Sequence, residues 1–156
     1  MCNAVAAVWM PGLYQVRDFA RHVEGFMASS GITSLAWAKS RKNRWRIETG
    51  GAQHVTIKYK VYANELNSEG NFVDAGFAML NGAPNFVTIA GRENRPHEVK
   101  LELPAAWRKS ISGMKRKMGE AHTYLAANFD ELVDCPIYAG NAPFHEFEVM
   151  DKIITW

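Results

Sequence analysis

The chain has 156 residues, of which 47% are hydrophobic and 22% are charged, a composition typical of a soluble folded domain. Its net charge of +2, from 18 basic and 16 acidic residues, is far from the basic excess of a dedicated nucleic-acid-binding protein. No apolar run approaches the ~18 residues that a membrane span requires. We therefore expect neither a nucleic acid nor a membrane as a partner, and at this length one hydrophobic core.

The first predicted element is a short helix or turn over residues 13–23. Its apolar residues follow the i, i+3, i+6, i+7, i+10 spacing of one helix face. They are Leu13, Val16, Phe19, Ala20 and Val23.

Strand patterns dominate the rest of the chain. Residues 54–62, 97–103 and 144–150 alternate between apolar and polar side chains, which is the period of a half-buried antiparallel strand. Residues 84–90 are more continuously apolar, which predicts a strand nearer the middle of the structure.

Turn signals such as Gly50-Gly51 and Asn81-Gly82 separate these strands. Short strands with turns every ~8–12 residues predict an all-β, mainly antiparallel, β-sandwich-like fold with one or two short helical turns. The second helical turn is predicted at residues 128–133, with Asn128 as its N-cap and its end before Pro136. Because no internal repeat or linker is found, we expect residues 1–156 to form a single β-domain.

The most distinctive segment places charged residues among large apolar ones. It reads Trp9-Met-Pro-Gly-Leu-Tyr-Gln-Val-Arg-Asp-Phe-Ala-Arg-His-Val23. This segment resembles the W-x-P-G-x-Y-x-x-R-[DE]-F-A-R-H-V signature in the N-terminal domain of glycyl aminopeptidase-like zinc metallopeptidases, which are thermolysin-like gluzincins. The resemblance continues over almost the whole sequence, through Tyr62-Ala-Asn-Glu-Leu66, Phe72-Val-Asp74, Leu80-Asn-Gly-Ala-Pro84, Arg95-Pro-His-Glu-Val99 and Phe129-Asp-Glu-Leu-Val-Asp134.

The resemblance implies a non-catalytic N-terminal domain in a family that removes small N-terminal residues, such as glycine and alanine, from peptides. Its implied role is to pack against the catalytic metallopeptidase domain and to help shape the substrate cleft, so that it meets the peptide substrate only indirectly. Only eight residues precede Trp9, whereas relatives usually have further strands there. We therefore expect a domain truncated at its N-terminal edge, with one sheet edge left unpaired.

The sequence contains no recognisable metal site. A gluzincin needs His-Glu-x-x-His on a helix and a distal carboxylate. The nearest string, His145-Glu-Phe-Glu-Val149, lacks the second histidine and alternates like a strand. There is also no Gly-x-Ser-x-Gly nucleophile elbow. We expect no catalytic residue, metal ligand or cofactor in this chain, and zinc only in the missing catalytic domain.

Six residues are candidates for interface or cleft contacts. Arginine donates hydrogen bonds in a fixed fork, which suits pairing with a carboxylate from another segment. Arg17 and Arg21 therefore either pin their segment onto the sandwich, through Asp18, Asp74 or Glu98, or belong to a surface that docks the catalytic domain. The Asn81-Gly82 dipeptide is either a plain hairpin turn or a loop at the mouth of the cleft. The candidates are Tyr14, Arg17, Asp18, Arg21, Asn81 and Gly82.

Residues 67–70 depart from the family pattern. Relatives commonly have Ser-Val-Arg-Thr where this chain has Asn67-Ser-Glu-Gly70, so that a basic position has become Glu69. This departure puts in question the contacts of that strand with the catalytic domain.

The single basic run, Lys39-Ser-Arg-Lys-Asn-Arg-Trp-Arg46, has two interpretations. Cations interleaved with aromatics are typical of single-strand nucleic-acid binding. A solvated hairpin, with Trp37, Trp45 and Ile47 inward and Arg44 and Arg46 outward, agrees better with the near-neutral charge of the chain.

An alternative function also stays open: a stand-alone peptide- or carbohydrate-binding β-sandwich that uses some of the five Trp and five Tyr residues. Residues 1–8 contain no Lys or Arg with which a signal peptide begins, and Cys2 and Cys135 are too few for a disulfide framework.

Overall fold

The computed structural model describes residues 1–10, 12–143, 145–150 and 152–155. Pro11 of the predicted turn and Phe144 of the last predicted strand lie outside the described residues. The described strands are β1 (Cys2–Ala6), β2 (Val23–Ser30), β3 (Thr33–Ser34), β4 (Trp37–Arg41), β5 (Arg44–Ile47), β6 (Thr56–Val61), β7 (Phe72–Val73), β8 (Phe77–Leu80), β9 (Val87–Ile89), β10 (His97–Lys100), β11 (Lys109–Ser112), β12 (Lys115–Arg116), β13 (Thr123–Ala126), β14 (Ile137–Gly140), β15 (Glu146–Val149) and β16 (Lys152–Thr155). Two short helices, α1 (Gly82–Asn85) and α2 (Phe129–Asp134), and a 3₁₀ turn (Phe19–His22) complete them.

The strand pairs described in this chain are antiparallel and form several small sheets. The two four-stranded sheets have the orders β4-β5-β1-β9 and β11-β14-β8-β7. The three-stranded sheets have the orders β3-β2-β6 and β10-β13-β12, and β15 pairs with β16. The predicted all-β, sandwich-like fold with short helical turns is therefore confirmed.

The first core lies between the β4-β5-β1-β9 sheet and the β3-β2-β6 sheet. Trp45 and Ile47 of β5 point inward, and Phe26 of β2 stacks on Trp45 with ring centroids 5.0 Å apart. Strand β6 alternates as the sequence predicts, with Ile57 and Tyr59 packed against this core and the intervening residues exposed. Burying such a pair of aromatic rings contributes about 0.5–1.5 kcal/mol beyond their apolar area.

The second core surrounds α2, whose Leu132 and Val133 are buried. Asn128 caps this helix as predicted: its side-chain oxygen accepts a hydrogen bond from the backbone N–H of Glu131 at 2.9 Å. The Glu131 carboxylate in turn accepts from the backbone N–H of Ala127 at 2.6 Å. The first bond satisfies a donor that the start of the helix leaves free, and the second ties the residue before the cap to the first turn.

One local prediction was only partly right, and one interpretation was wrong. The helical spacing over residues 13–23 yields a 3₁₀ turn at Phe19–His22 alone, because Val16 is exposed and Val23 already begins β2. At Asn81 the backbone is extended, with φ of −85°, and α1 begins at Gly82, so of the two interpretations of Asn81-Gly82 the hairpin turn is wrong. The following Pro84 lies within the first turn of this helix, where its missing N–H costs nothing.

Cys2 and Cys135 are free thiols, each partly buried. Within the described ranges, no helix is long and apolar enough to cross a membrane.

Candidate interface and cleft

A small cleft separates the segment before β2 from the loop between β6 and β7. Its volume is about 90 Å³, well below the roughly 300–1,000 Å³ of a pocket that encloses a whole ligand. It has room for ordered water or one small side chain. Its polar lining comes from Arg17, Asp18, Arg21, His22, Glu65 and Glu69.

An ion pair joins the two sides of the cleft. The Arg17 Nη2 atom lies 2.7 Å from one carboxylate oxygen of Glu69 and 3.0 Å from the other. Both side chains are partly exposed, and such pairs contribute about 0.2–1 kcal/mol to stability. The pair therefore orients the loop more than it stabilises the fold.

Asp74 and Glu98, two of the partners predicted for the arginines, are engaged elsewhere. The Asp74 carboxylate accepts two backbone N–H groups of its own turn, and Glu98 binds Lys117 at 2.8 Å. These carboxylates are satisfied locally. Arg21 donates instead from Nε to the Nε2 atom of the adjacent His22, at 2.7 Å.

Asparagines in the wall of the cleft and behind it form a hydrogen-bond network, in which Asn71 and Asn81 are buried and Asn67 is exposed. The Asn71 side-chain oxygen accepts from the backbone N–H of Asn81 at 2.9 Å and from the Asn85 amide at 2.8 Å. The Asn81 amide donates to the backbone carbonyl of Gly70. The Asn67 side-chain oxygen accepts from the N–H of Gly70 at 2.6 Å. The network fixes the loop that carries Glu69.

Comparison with known proteins identifies the domain. Residues 3–141 match the family model described as Peptidase M61 N-terminal domain. The chain belongs to this family. The resemblance to the N-terminal domain of a peptidase family is thereby confirmed, and the M61 match covers most of the chain, including the cleft.

A solved structure agrees with this assignment. The chain is similar to an aminopeptidase N family protein from Idiomarina loihiensis, with a TM-score of 0.90, 30% sequence identity and 99% of this chain covered. The match spans only 27% of that protein, so most of the relative lies outside the region that this M61 domain matches. A search of curated proteins finds no match.

The structure brings three of the six candidate residues into the cleft of the M61 domain: Arg17, Asp18 and Arg21. They are neighbours in sequence, which explains why one motif contains them all. Sequence reasoning missed cleft residues from the opposite loop. They include Tyr62, Glu65, Asn67 and Asn71.

The other three candidates lie around the cleft. Tyr14 is fully exposed on the neighbouring loop, in a shallow groove that also includes Arg17 and Glu69. Asn81 is buried behind the cleft, in the asparagine network. Gly82 faces α2 and does not line the cleft.

The departure from the family pattern has a local explanation in this M61 domain. Glu69 is the partner of Arg17, as described above. A Cβ atom on Gly70 would lie 2.6 Å from the Glu65 Cβ and 2.8 Å from its backbone oxygen. The loop can therefore fold back on Glu65 only with glycine at this position.

No group of three or more His, Cys, Asp or Glu residues that could hold a metal ion is found in the part of the chain that the structure describes.

Tyr59, next to the asparagine network, gives a pH-dependent prediction. Its hydroxyl donates to the backbone carbonyl of Asn85 at 2.6 Å, and burial raises its pKa from 10.0 to about 12. As pH rises above 10, the unfolded chain loses this proton while the folded chain keeps it. The free energy of unfolding therefore falls by up to about 2 kcal/mol between pH 10 and 12 from this group.

Urea unfolding of the Tyr59→Phe variant and the unchanged protein, followed from pH 8 to 12, measures this contribution. We expect the variant to lose less stability in the alkaline range. Tyr14→Phe, which removes a fully exposed hydroxyl, is the matched control. Equal alkaline losses in the Tyr59→Phe variant and the unchanged protein would contradict the prediction.

Proposed function

We propose that this M61 domain is the non-catalytic N-terminal part of a zinc metallopeptidase that removes small N-terminal residues, such as glycine and alanine, from peptides. Its role is to pack against the zinc-containing catalytic domain and to form one wall of the substrate cleft. Family membership and the 27% coverage of the Idiomarina loihiensis protein support a partner domain of larger size.

A cluster of exposed apolar side chains beside the cleft carries the proposal. Trp9, Tyr14 and Val16 are exposed on one side, and 100% of the Tyr14 side chain is accessible. Tyr62, on the cleft wall, and Leu66, on the opposite loop, are exposed as well. Large apolar groups grouped on one surface mark an interaction site, because their burial against a partner is favourable.

The polar cleft suits the border of such an interface. At about 90 Å³ it cannot enclose a peptide by itself, so a substrate contact there requires a second wall from a partner. The Arg17–Glu69 pair is already formed, so docking does not leave either charge without a partner. The combination fits an apolar contact area with a polar rim.

A domain replacement tests this function. The matched 27% of the Idiomarina loihiensis protein is deleted in one variant and replaced by this chain in another. Hydrolysis of glycyl- and alanyl-p-nitroanilide is measured with and without a zinc chelator. We expect the deletion to abolish activity, the replacement to restore it, and the chelator to remove it.

Substitutions then locate the interface. In the replacement protein, Tyr14→Asp is expected to lower kcat/KM at least tenfold, since a buried unpaired carboxylate costs several kcal/mol. The matched control is Met118→Asp, which changes an exposed side chain on the turn between β12 and β13. A deletion variant that keeps full activity, or equal losses in both substituted proteins, would refute the proposal.

A further inference from the structure

Strand β4 forms a free edge of the β4-β5-β1-β9 sheet, and each of its five residues is exposed. The backbone N–H of Glu48 donates to the Ala36 carbonyl at 2.9 Å, which makes this pair hydrogen-bonded. Because such pairs alternate along an antiparallel ladder, the backbone groups of Trp37 and Lys39 point away from β5. They are donors and acceptors available to another strand.

The edge is strongly basic. Residues 37–47 contain five cations and no acidic residue. Lys39 lies with its Nζ 5.2 Å from the centroid of the Trp45 ring, and Arg41 and Lys42 are exposed beside it. Arg46 is paired with Glu48 at 3.3 Å, which leaves the positive charge concentrated at the free edge.

A shallow groove of mixed polarity begins where β4 begins. Its apolar part is formed by Met27, Ile32 and Trp37, all exposed, and its polar lining is Ser29, Ser34, Thr56 and Lys58. Trp37 is 41% exposed and belongs both to the groove and to the outward edge of β4. An extended segment paired with β4 can therefore place one side chain in the groove while its neighbours meet the cations.

We propose that β4 is a docking edge for an extended acidic peptide segment, which adds to the sheet as a further antiparallel or parallel strand. Main-chain hydrogen bonds to Trp37 and Lys39 supply the pairing, and an apolar side chain in the groove sets the register. This surface does not include the Arg17–Glu69 cleft and the proposal is independent of the proposed function.

The charge distribution selects this occupant over two others. A second copy of β4 would oppose lysine and arginine with the same charges, which is unfavourable across paired strands. Single-stranded nucleic acid stacks successive bases on several exposed aromatic faces, whereas at this edge Trp45 is only 2% exposed and Trp37 alone offers a partly exposed ring. An acidic strand satisfies both the free backbone groups and the cations.

The test uses the full chain and a fluorescein-labelled ten-residue peptide in which Glu alternates with Val, with one central Phe. Fluorescence anisotropy is expected to show micromolar binding that weakens as salt rises. Lys39→Glu combined with Arg41→Glu is expected to weaken binding at least tenfold. Lys115→Glu combined with Arg116→Glu, the same charge change on the exposed strand β12, is the matched control and is expected to leave the affinity unchanged.

A second probe separates strand pairing from charge attraction. The same peptide, N-methylated at every residue, keeps its charges but cannot donate along either edge, and we expect it not to bind. Thermal unfolding of each variant checks that the fold is retained. The proposal is overturned if the unmethylated peptide does not bind, if the methylated one binds equally, if the control variant loses as much affinity, or if oligo-dT binds more tightly than the peptide.

Discussion

Replacement of Gly82 by alanine is expected to lower the free energy of unfolding by about 3 kcal/mol, the upper end of the cost of overpacking. A Cβ atom at this position would lie 2.3 Å from the Leu132 carbonyl oxygen and 2.6 Å from the Val133 Cα. Both are backbone atoms of α2, so no side-chain rotation relieves the contact. The two helices would have to separate, which opens the second core.

The measurement is the thermal midpoint and the urea midpoint of the variant. For a chain of this size the expected loss corresponds to about 6–12 °C in the midpoint. Gly76→Ala is the matched control, because its added Cβ meets only the Asp74 carboxylate, at 3.4 Å, in ordinary contact. A Gly82→Ala midpoint within 2 °C of the Gly76→Ala midpoint would show that α1 and α2 are not held in this close contact.

Gly82 also shows how far the sequence predicts this structure. Alternation of apolar and polar side chains identified β6, and Asn128 identified the start of α2, because strand period and helix caps are properties of a few adjacent residues. The Asn-Gly pair signalled a hairpin by the same local logic. Here packing of α1 against α2 outweighs that preference, and no local pattern encodes it.

The residues of the cleft were also predicted only in part, from the segment before β2. Arg17, Asp18 and Arg21 were found because one motif contains all three. The partner of Arg17 was not found, because Glu69 lies 52 residues further along the chain. The sequence does contain a signal for the opposite side of the cleft. Asparagines are unusually dense between residues 64 and 85, and buried amides need hydrogen-bond partners.

The edge of the sheet explains another partial error. Trp45 and Ile47 are buried as predicted, but Trp37, assigned to the same inward face, is 41% exposed. Side-chain period tells which face of a strand a residue occupies. It does not tell whether the strand is central or at an edge, since that depends on pairing between distant segments.

The asparagine network provides the second large effect. Asn71→Ala is expected to lower the free energy of unfolding by about 2–3 kcal/mol, because it leaves buried donors without an acceptor. The backbone N–H of Asn81 loses its partner, and the Asn85 amide keeps only its 2.7 Å bond to the Asn81 carbonyl. Asn94→Ala, on the exposed turn before β10, is the control and is expected to change stability by less than about 0.5 kcal/mol.

Hydrogen exchange distinguishes a local role of this network from general destabilisation. If Asn71 fixes the loop that carries Glu69, the amides of Glu69, Gly70 and Asn81 should exchange faster in Asn71→Ala than the loss of global stability accounts for. The exchange rates of the amides in β5 and β6 should change only as much as the global stability does. A stability loss spread evenly over all amides would instead make Asn71 a general core residue.

Faster exchange confined to the loop would mean that Asn71 holds the cleft wall in position. It does so through its bond to Asn81, whose side-chain amide donates to the Gly70 carbonyl, next to Glu69. The same substitution in the domain-replacement protein should then lower peptidase activity at temperatures where the variant remains folded.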